Sequence, residues 1–425
     1  MNDEQGVGQP EGVGESLTER VEENPQRTKV GSKRPTYTFW RLIFVTAASQ
    51  AGASYAQQGL AVLAEPLRLT VGVSLTAMGA LVSATAVGAI LGMMVWGMVL
   101  DRAGPRATVI VGTIAAAASL AVAGRFAHGP YAALVAVLLV YGLAAPSLPL
   151  VGMTLISAGV PGDRQATALG WRQAATPVGS LIAAGTLPLL LEIWPFTAVF
   201  DLLSGIILAV GWTITRHSPR FSLSVPLSQK GDSLPWRYLW PAATIAVLIG
   251  GGQYVLLTYT IPFATRIVGV NVAQGTASLT AVLGLGLVGR AVSGWISDAY
   301  FGLAGTLMAY CSLAAAGFGM AAVSGRSLAG WEGIAVLIAC GIGAVGWNSL
   351  LYAWTERLVP QARRGTAFGM IGALSFVSVA LWSTAFGWIA EHASYRIAWA
   401  ALAGAFVLAA GLAWRSAHTA PELNR

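Results

Sequence analysis

The chain has 425 residues, 55% of them hydrophobic and 10% charged, with a formal net charge of +7. A soluble domain carries about 25% charged residues, so most of this surface faces something other than water. Apolar windows long enough to cross a bilayer recur along the chain. Backbone groups in lipid must be paired within their own segment, so the spans are expected to be helices, and soluble α/β domains are excluded.

The chain opens on residues 1–36, a polar stretch rich in Glu, Gly and Pro. It reads as a disordered tail, and it lacks the apolar core and cleavage site of a secretory signal peptide. Twelve spans follow, at 39–63, 75–100, 107–124, 131–157, 165–190, 195–214, 238–263, 273–297, 303–324, 331–354, 366–389 and 395–415. The first six are assigned to one bundle, 37–216, and the last six to a second, 237–417. Residues 217–236 between them are polar, hold Pro, Ser and Gly, and lack an apolar period, as a linker does. Residues 418–425 are a short closing tail. The expected fold is an all-α membrane protein of twelve transmembrane helices in two pseudo-symmetric six-helix bundles.

The pseudo-symmetry is written in the residues. Val71-Gly72-Val73 recurs 197 positions later as Val268-Gly269-Val270. Ala80, Ala84, Gly92, Val95, Gly97 and Asp101 recur as Ala277, Ala281, Gly289, Val292, Gly294 and Asp298. That makes 9 identities in 31 aligned positions, against roughly 3 expected by chance in so skewed a composition. Val160-Pro161, Arg164, Thr167-Ala168 and Gly170 return at an offset of 199 as Val359-Pro360, Arg363, Thr366-Ala367 and Gly369. Two similar membrane halves place a substrate path between them.

Lys and Arg set the orientation. The connections after even-numbered spans hold Arg102, Arg106, Arg164, Arg216, Arg220, Lys230, Arg237, Arg357, Arg363 and Arg364. Those after odd-numbered spans hold Arg68, Arg125, Arg266, Arg326 and Arg396. Lys29, Lys33 and Arg34 of the opening tail join the first group. Both termini are therefore expected in the cytoplasm, in a multi-pass protein of the cytoplasmic (inner) membrane. The positive net charge is largely this bias and requires no nucleic acid.

Cys311 and Cys340 fall inside spans 9 and 10 without metal or disulfide spacing, and read as small buried hydrophobes. Gly284-x-Gly286-x-x-Gly289 spells a dinucleotide fingerprint, but it lies inside an apolar helix rather than after a strand. It reads as helix packing. With no metal cluster, no nucleophile paired to a base and no nucleotide loop, the chain is not expected to be an enzyme or to hold a cofactor.

Between spans 2 and 3 stands Gly97-x-x-x-Asp101-Arg102-x-Gly104-Pro105-Arg106. Gly97 allows close helix approach, Gly104 a tight turn, and Asp101 can pair with a basic group of the opposite half. The second copy keeps Gly294 and Asp298 but has no basic residues, so its latch should be weaker. These residues resemble the signature loop of the major facilitator superfamily, and the resemblance covers nearly the whole chain. It implies a carrier working by alternating access, with Gly97, Asp101, Arg102, Gly104, Arg106, Gly294 and Asp298 in gating.

Arg172 in span 5 and Arg290 in span 8 are the ionisable residues inside the membrane that stand out. Each lies 8 residues from a charged edge, Arg164 and Asp298 respectively, hence roughly 12 Å deep. The repeats pair them with Ile371 and Met93, so neither belongs to the shared scaffold. A guanidinium offers a planar fork to carboxylates. Two readings stay open for each: contact with an anion, or sealing a gate through Asp101, Asp298 or helix-end carbonyls.

Arg290-x-x-x-Gly294-x-x-x-Asp298 is similar to the span-8 pattern of monocarboxylate and oxalate/formate porters. The stretch from Tyr55 to Arg106 also resembles the bacterial members of that branch. Gly170-Trp171-Arg172-Gln173, with Pro177 and Gly179, is similar to cyanate-type anion porters and looks partly like the span-5 motif of drug antiporters. In this superfamily spans 1, 4, 7 and 10 line the path. The resemblance therefore implies a lining of Gln50, Ser54 and Gln57, spaced on one helical face, with Tyr141, Gln253, Tyr254, Asn348 and Tyr352.

No acid lies at a span centre. Glu65 and Asp201 lie toward the outer side, and Asp201 reads as a helix-end residue. This favours exchange, facilitated diffusion or a proton carried with the substrate. Pro66 and Pro262 correspond at the outer ends of spans 1 and 7, where they should end or kink the helix. The expected function is secondary active or facilitative transport of a small organic anion, a monocarboxylate, with a proton or counter-anion as coupling partner. The alternative is proton-driven export of drugs or hydrophobic metabolites. Besides the anionic substrate, the expected surroundings are membrane lipid, and a monomer suffices because one chain holds both halves.

Overall fold

A computed structural model describes residues 36–160, 165–217, 236–324, 331–359 and 364–419. Residues 1–35 of the expected tail, 218–235 of the linker and 420–425 of the closing tail lie outside these, as do Arg164 and Arg363. The first half comprises α1 (Thr36–Val62), α2 (Ala64–Val71), α3 (Leu75–Arg125), α4 (Tyr131–Ala144), α5 (Ser147–Gly159), α6 (Gln165–Ile193) and α7 (Phe196–His217). The second comprises α8 (Trp236–Ile249), α9 (Gly252–Phe263), α10 (Val272–Ile296), α11 (Gly302–Ser324), α12 (Trp331–Leu358), α13 (Arg364–His392) and α14 (Tyr395–Thr419). Two single π-turns, Ala264–Val268 and Ser297–Phe301, stand on either side of α10.

Each half buries its own core. Leu120, Phe200 and Leu203 are fully buried in the first. Trp354, Trp399, Phe386 and Phe406 are fully buried in the second, where Phe318 stacks on Trp399 at 5.5 Å. The outward faces carry apolar side chains such as Phe44, Met94, Trp212 and Val323, as helices bounded by lipid must. The halves meet along three seams, α3 with α13, α6 with α10, and α1 with α9.

The repeated residues mark turns. Among the described residues, the four glycines with positive φ come in repeat-related pairs: Gly72 and Gly269 at 74° and 83°, Gly104 and Gly302 at 77° and 66°. Gly72 and Gly269 are left-handed helix stops, and each is followed two residues later by a side-chain N-cap, Ser74 and Asn271. Gly104 turns the chain inside α3, so this one element holds spans 2 and 3. Its ψ of 171° is close to the 175° of Gly302. This backbone region is essentially confined to glycine. Asp101 to Gly104 is one residue shorter than Asp298 to Gly302. The π-turn at Ser297–Phe301 takes up the extra residue.

Two expected spans, 4 and 7, are interrupted. Span 1 ends at its expected boundary, Leu63, where a turn leads into α2 and Pro66, and span 7 divides at Gly250-Gly251. Span 4 was expected to be continuous but breaks at Ala145-Pro146, because proline fits the first turn of a new helix and not the interior of an old one. Pro262 ends α9 ahead of the π-turn. Gly286 and Gly289 press against Val345 and Ile342 of α12, so the fingerprint-like run is a packing surface. Cys311 and Cys340 are buried and unpaired.

Candidate substrate path between the halves

Two ends of the bundle must be told apart. The terminal end is where α1 begins and α14 finishes, and it carries the Gly104 and Gly302 turns. The far end carries the Gly72 and Gly269 turns. The far end is closed by bonds between the halves. Arg266 donates to Glu65 at 2.7 Å. Thr76 donates its N–H and hydroxyl to Glu391 at 3.0 and 2.6 Å. Tyr259 donates to the Leu75 carbonyl of the first half at 3.3 Å and to the Ser383 carbonyl of its own half at 2.6 Å. Ser83 bonds the Ala380 carbonyl and the Thr384 hydroxyl at 2.6 and 2.8 Å.

This seam is tight because it is glycine-lined. A methyl placed on Gly79 would sit 1.9 Å from the Ser383 carbonyl oxygen, and one on Gly387 would sit 2.4 Å from that of Leu75. Deeper, Gln253 of α9 donates to Gln58 of α1 at 2.8 Å and forms a buried amide bridge. Among the described residues, the hydrogen bonds that join the halves lie between this bridge and the far end.

Below the bridge, the two halves contribute Tyr141 of α4 and Tyr254 of α9. The Tyr141 hydroxyl is buried without a partner among the described residues. Gln57 is partly exposed. Toward the terminal end, Arg290 of α10 lies beside Tyr352 of α12. Its Nε is buried and unpartnered among the described residues. Phe368 of α13 meets Tyr352 edge-on at 5.5 Å. Met93 reaches this cluster from the first half, within 4.0 Å of a methyl placed on Gly372. Asn348 is half-buried one turn before Tyr352.

Arg172 is placed differently. It is 2% exposed and lies inside the first half among Thr46, Ser49, Leu148, Gly152 and Ile214. Its Nη2 donates to Gln50 at 2.5 Å and to the Pro149 carbonyl at 2.9 Å. Gln50 in turn donates to Thr176 at 3.1 Å and lies 3.5 Å from Ser54. The Gln50–Ser54 stripe therefore faces α6 rather than the opposite half. Gln253 likewise meets Gln58, which flanks the stripe on α1.

At the terminal end the gating residues stand apart. Arg102 and Arg106 are exposed, Asp101 is helical, and its side chain lies outside the described set. The close helix approach expected at Gly97 is absent, since nothing lies within 4 Å of a methyl placed there or on Gly294. Both glycines face open space, and among the described residues no hydrogen bond joins the halves at this end. Asp298 has a basic partner that its motif copy lacks: Arg357 of α12, at 3.7 Å with Asp298 73% exposed. A cavity of about 360 Å³ opens beside this pair, off the seam, between the ends of α10 and α12. Asp201 pairs with Arg125 in an exposed ion pair at the far end, away from any path.

Sequence reasoning missed the far-end closure. Its one local signal was Glu65 and Arg68, spaced i,i+3 and bonded at 2.7 Å. The partners Arg266 and Glu391 come from 201 and 315 positions away in their respective bonds, so no spacing could announce them.

Two pseudo-symmetric helical halves, bonded to each other toward one end, define a membrane transporter rather than an enzyme. The chain matches the Major Facilitator Superfamily over residues 43–383 and belongs to that family. It is 28% identical over 379 residues to an uncharacterised MFS-type transporter of Mycobacterium tuberculosis (strain CDC 1551 / Oshkosh), covering 87% of this chain and 83% of that protein. Among solved structures, it resembles a D-xylose–proton symporter with a TM-score of 0.72 at 15% identity, covering 89% of this chain and 97% of the other. A bacterial homologue of the human lysosomal transporter Spinster, inward-facing and unoccupied, gives a TM-score of 0.70 at 16% identity, covering 91% and 98%. At such identities the likeness is one of fold.

Proposed function

We propose that this transporter carries a small organic anion, a monocarboxylate, by alternating access, with Arg290 as its charge contact. The observation that carries this reading is the Arg290 guanidinium. It lies within a span beside Tyr352, with its Nε buried and no partner among the described residues. A charge held in the membrane without a partner is costly unless a ligand or water supplies one. Tyr352, Phe368 and Met93 offer an apolar wall for a small organic body. Tyr141, Tyr254 and Gln57 continue the lining toward the middle of the seam.

Arg172 is assigned a different part. Its Nε is also buried and unpartnered among the described residues, but Gln50 and Pro149 hold its Nη2 within the first half, so it braces that half. The lysine and arginine bias puts the terminal end in the cytoplasm of a cell membrane, so the structure would be open inward.

The test is uptake of labelled lactate, pyruvate, oxalate, formate, cyanate and nitrate into liposomes carrying the purified protein. It is run with and without internal counter-substrate and with an imposed pH gradient. Saturable carboxylate uptake that R290A abolishes supports the assignment. Uptake unchanged in R290A sinks the charge contact. No anion uptake by the wild type returns Arg290 to a gate role and favours proton-driven export of hydrophobic compounds.

A further inference from the structure

The far end is held shut by two carboxylates, one from each half. We propose that Glu65 and Glu391 form a reciprocal clasp that sets how readily this end opens. Glu65 of α2 is 6% exposed. Arg68 of the same helix holds it in place through Nε to Oε2 at 2.7 Å and Nη2 to Oε1 at 3.0 Å. Arg68 is itself fixed by a bond to the Val73 carbonyl at 3.1 Å. The first half thus presents a preassembled acceptor, and the second half delivers Arg266 to it at 2.7 Å. Glu391 at the end of α13 does the converse. It accepts two bonds from Thr76 in the first turn of α3, where the helix dipole favours an anion.

The internal repeat separates this device from the scaffold. At the offset of 199, Glu391 corresponds to Glu192 of α6, also a carboxylate. At the offset of 197, Thr76 corresponds to Ala273, which has no hydroxyl. The N-terminus of α10 is instead capped within itself by Asn271 and Gln274, and Glu192 is exposed. The seam between α6 and α10 has only ordinary contact, with Thr280 at 3.7 Å from a methyl placed on Gly185. One seam is clasped and its symmetry mate is not. Opening the far end must therefore break the charge-assisted bonds of Glu65 and Glu391 first.

The test uses spin labels at Leu69→Cys and Val272→Cys, both exposed and on opposite halves of the far end. They are introduced into a chain with Cys311→Ala and Cys340→Ala, and distances are measured by double electron–electron resonance in lipid nanodiscs. E65Q, R266Q and E391Q each keep the size of the side chain or less and remove its charge. E65Q and R266Q are each expected to raise the ratio of long to short distances about tenfold, the scale of one charged hydrogen bond, and E391Q, whose bonds to Thr76 are exposed, about threefold. E65Q/R266Q should go no further than E65Q alone, because both act on one bond. E65Q/E391Q act on separate bonds and should reach about thirtyfold. E192Q should leave the distribution unchanged. A wild-type distribution in E65Q/E391Q, with the short-distance peak intact as evidence of folding, overturns the proposal. So does a shift in E192Q equal to that in E391Q.

Discussion

Arg172 of α6 donates to Gln50 of α1, 122 positions away, and the bond ties two helices of the first half together inside their own bundle. The guanidinium is 2% exposed, so its charge depends on this amide and on the Pro149 carbonyl. Replacing Gln50 by Leu should destabilise the protein by about 1.5–3 kcal/mol, the worth of a hydrogen bond to a charged group. Thermal unfolding in detergent reads this directly. Substrate KM should stay near the wild-type value, because the pair faces α5 and α6 rather than the seam. A large KM change with unaltered stability would contradict the bracing role.

Arg290 should behave in the opposite way. R290K retains a positive charge but loses the planar fork, and carboxylate uptake should fall by about 100-fold. Stability should stay near the wild-type value, since the charge is kept and the lost Nε makes no bond among the described residues. Uptake and unfolding measured on the same preparation separate the two arginines.

The four motif glycines divide into two behaviours. Gly104 and Gly302 hold φ of 77° and 66° with ψ near 171° and 175°, and alanine at either should cost about 1–3 kcal/mol. Gly97 and Gly294 have open space around them in this state. Alanine there should leave unfolding unchanged here but slow transport, because the terminal end closes onto these positions. Equal loss of stability at all four sites would refute the distinction.

Asp298 and Arg357 stand 3.7 Å apart and Asp298 is 73% exposed. So exposed a pair is worth less than about 1 kcal/mol. D298N should therefore shift the unfolding midpoint by little, and any transport defect it causes belongs to the closed terminal end. A double-mutant cycle with R357Q on stability checks the small coupling.

Much of the architecture was legible in the chain. Hydropathy located the spans, and the repeat at 197 singled out Val71-Gly72-Val73 and Asp101 because the same turn must be made twice. The break at Ala145-Pro146 was readable from proline but lay inside an apolar run that looked continuous. Gln50 and Ser54 were rightly put on one helical face, since i,i+4 spacing is a property of the helix itself. The direction in which that face points was not readable. Arg172 and Arg290 looked equivalent in depth and kind, and only packing separated them.

The sequence by itself determined that the chain crosses the membrane in two related halves, with a Gly-Asp motif at one set of turns. These properties arise within single segments, from apolar length and from the backbone that glycine alone adopts. The tertiary structure decided which charges meet. Glu65 found Arg266, Thr76 found Glu391, and Arg172 found Gln50 across 201, 315 and 122 positions. Such pairings follow from how whole helices rotate and pack against one another, and no local spacing encodes that rotation.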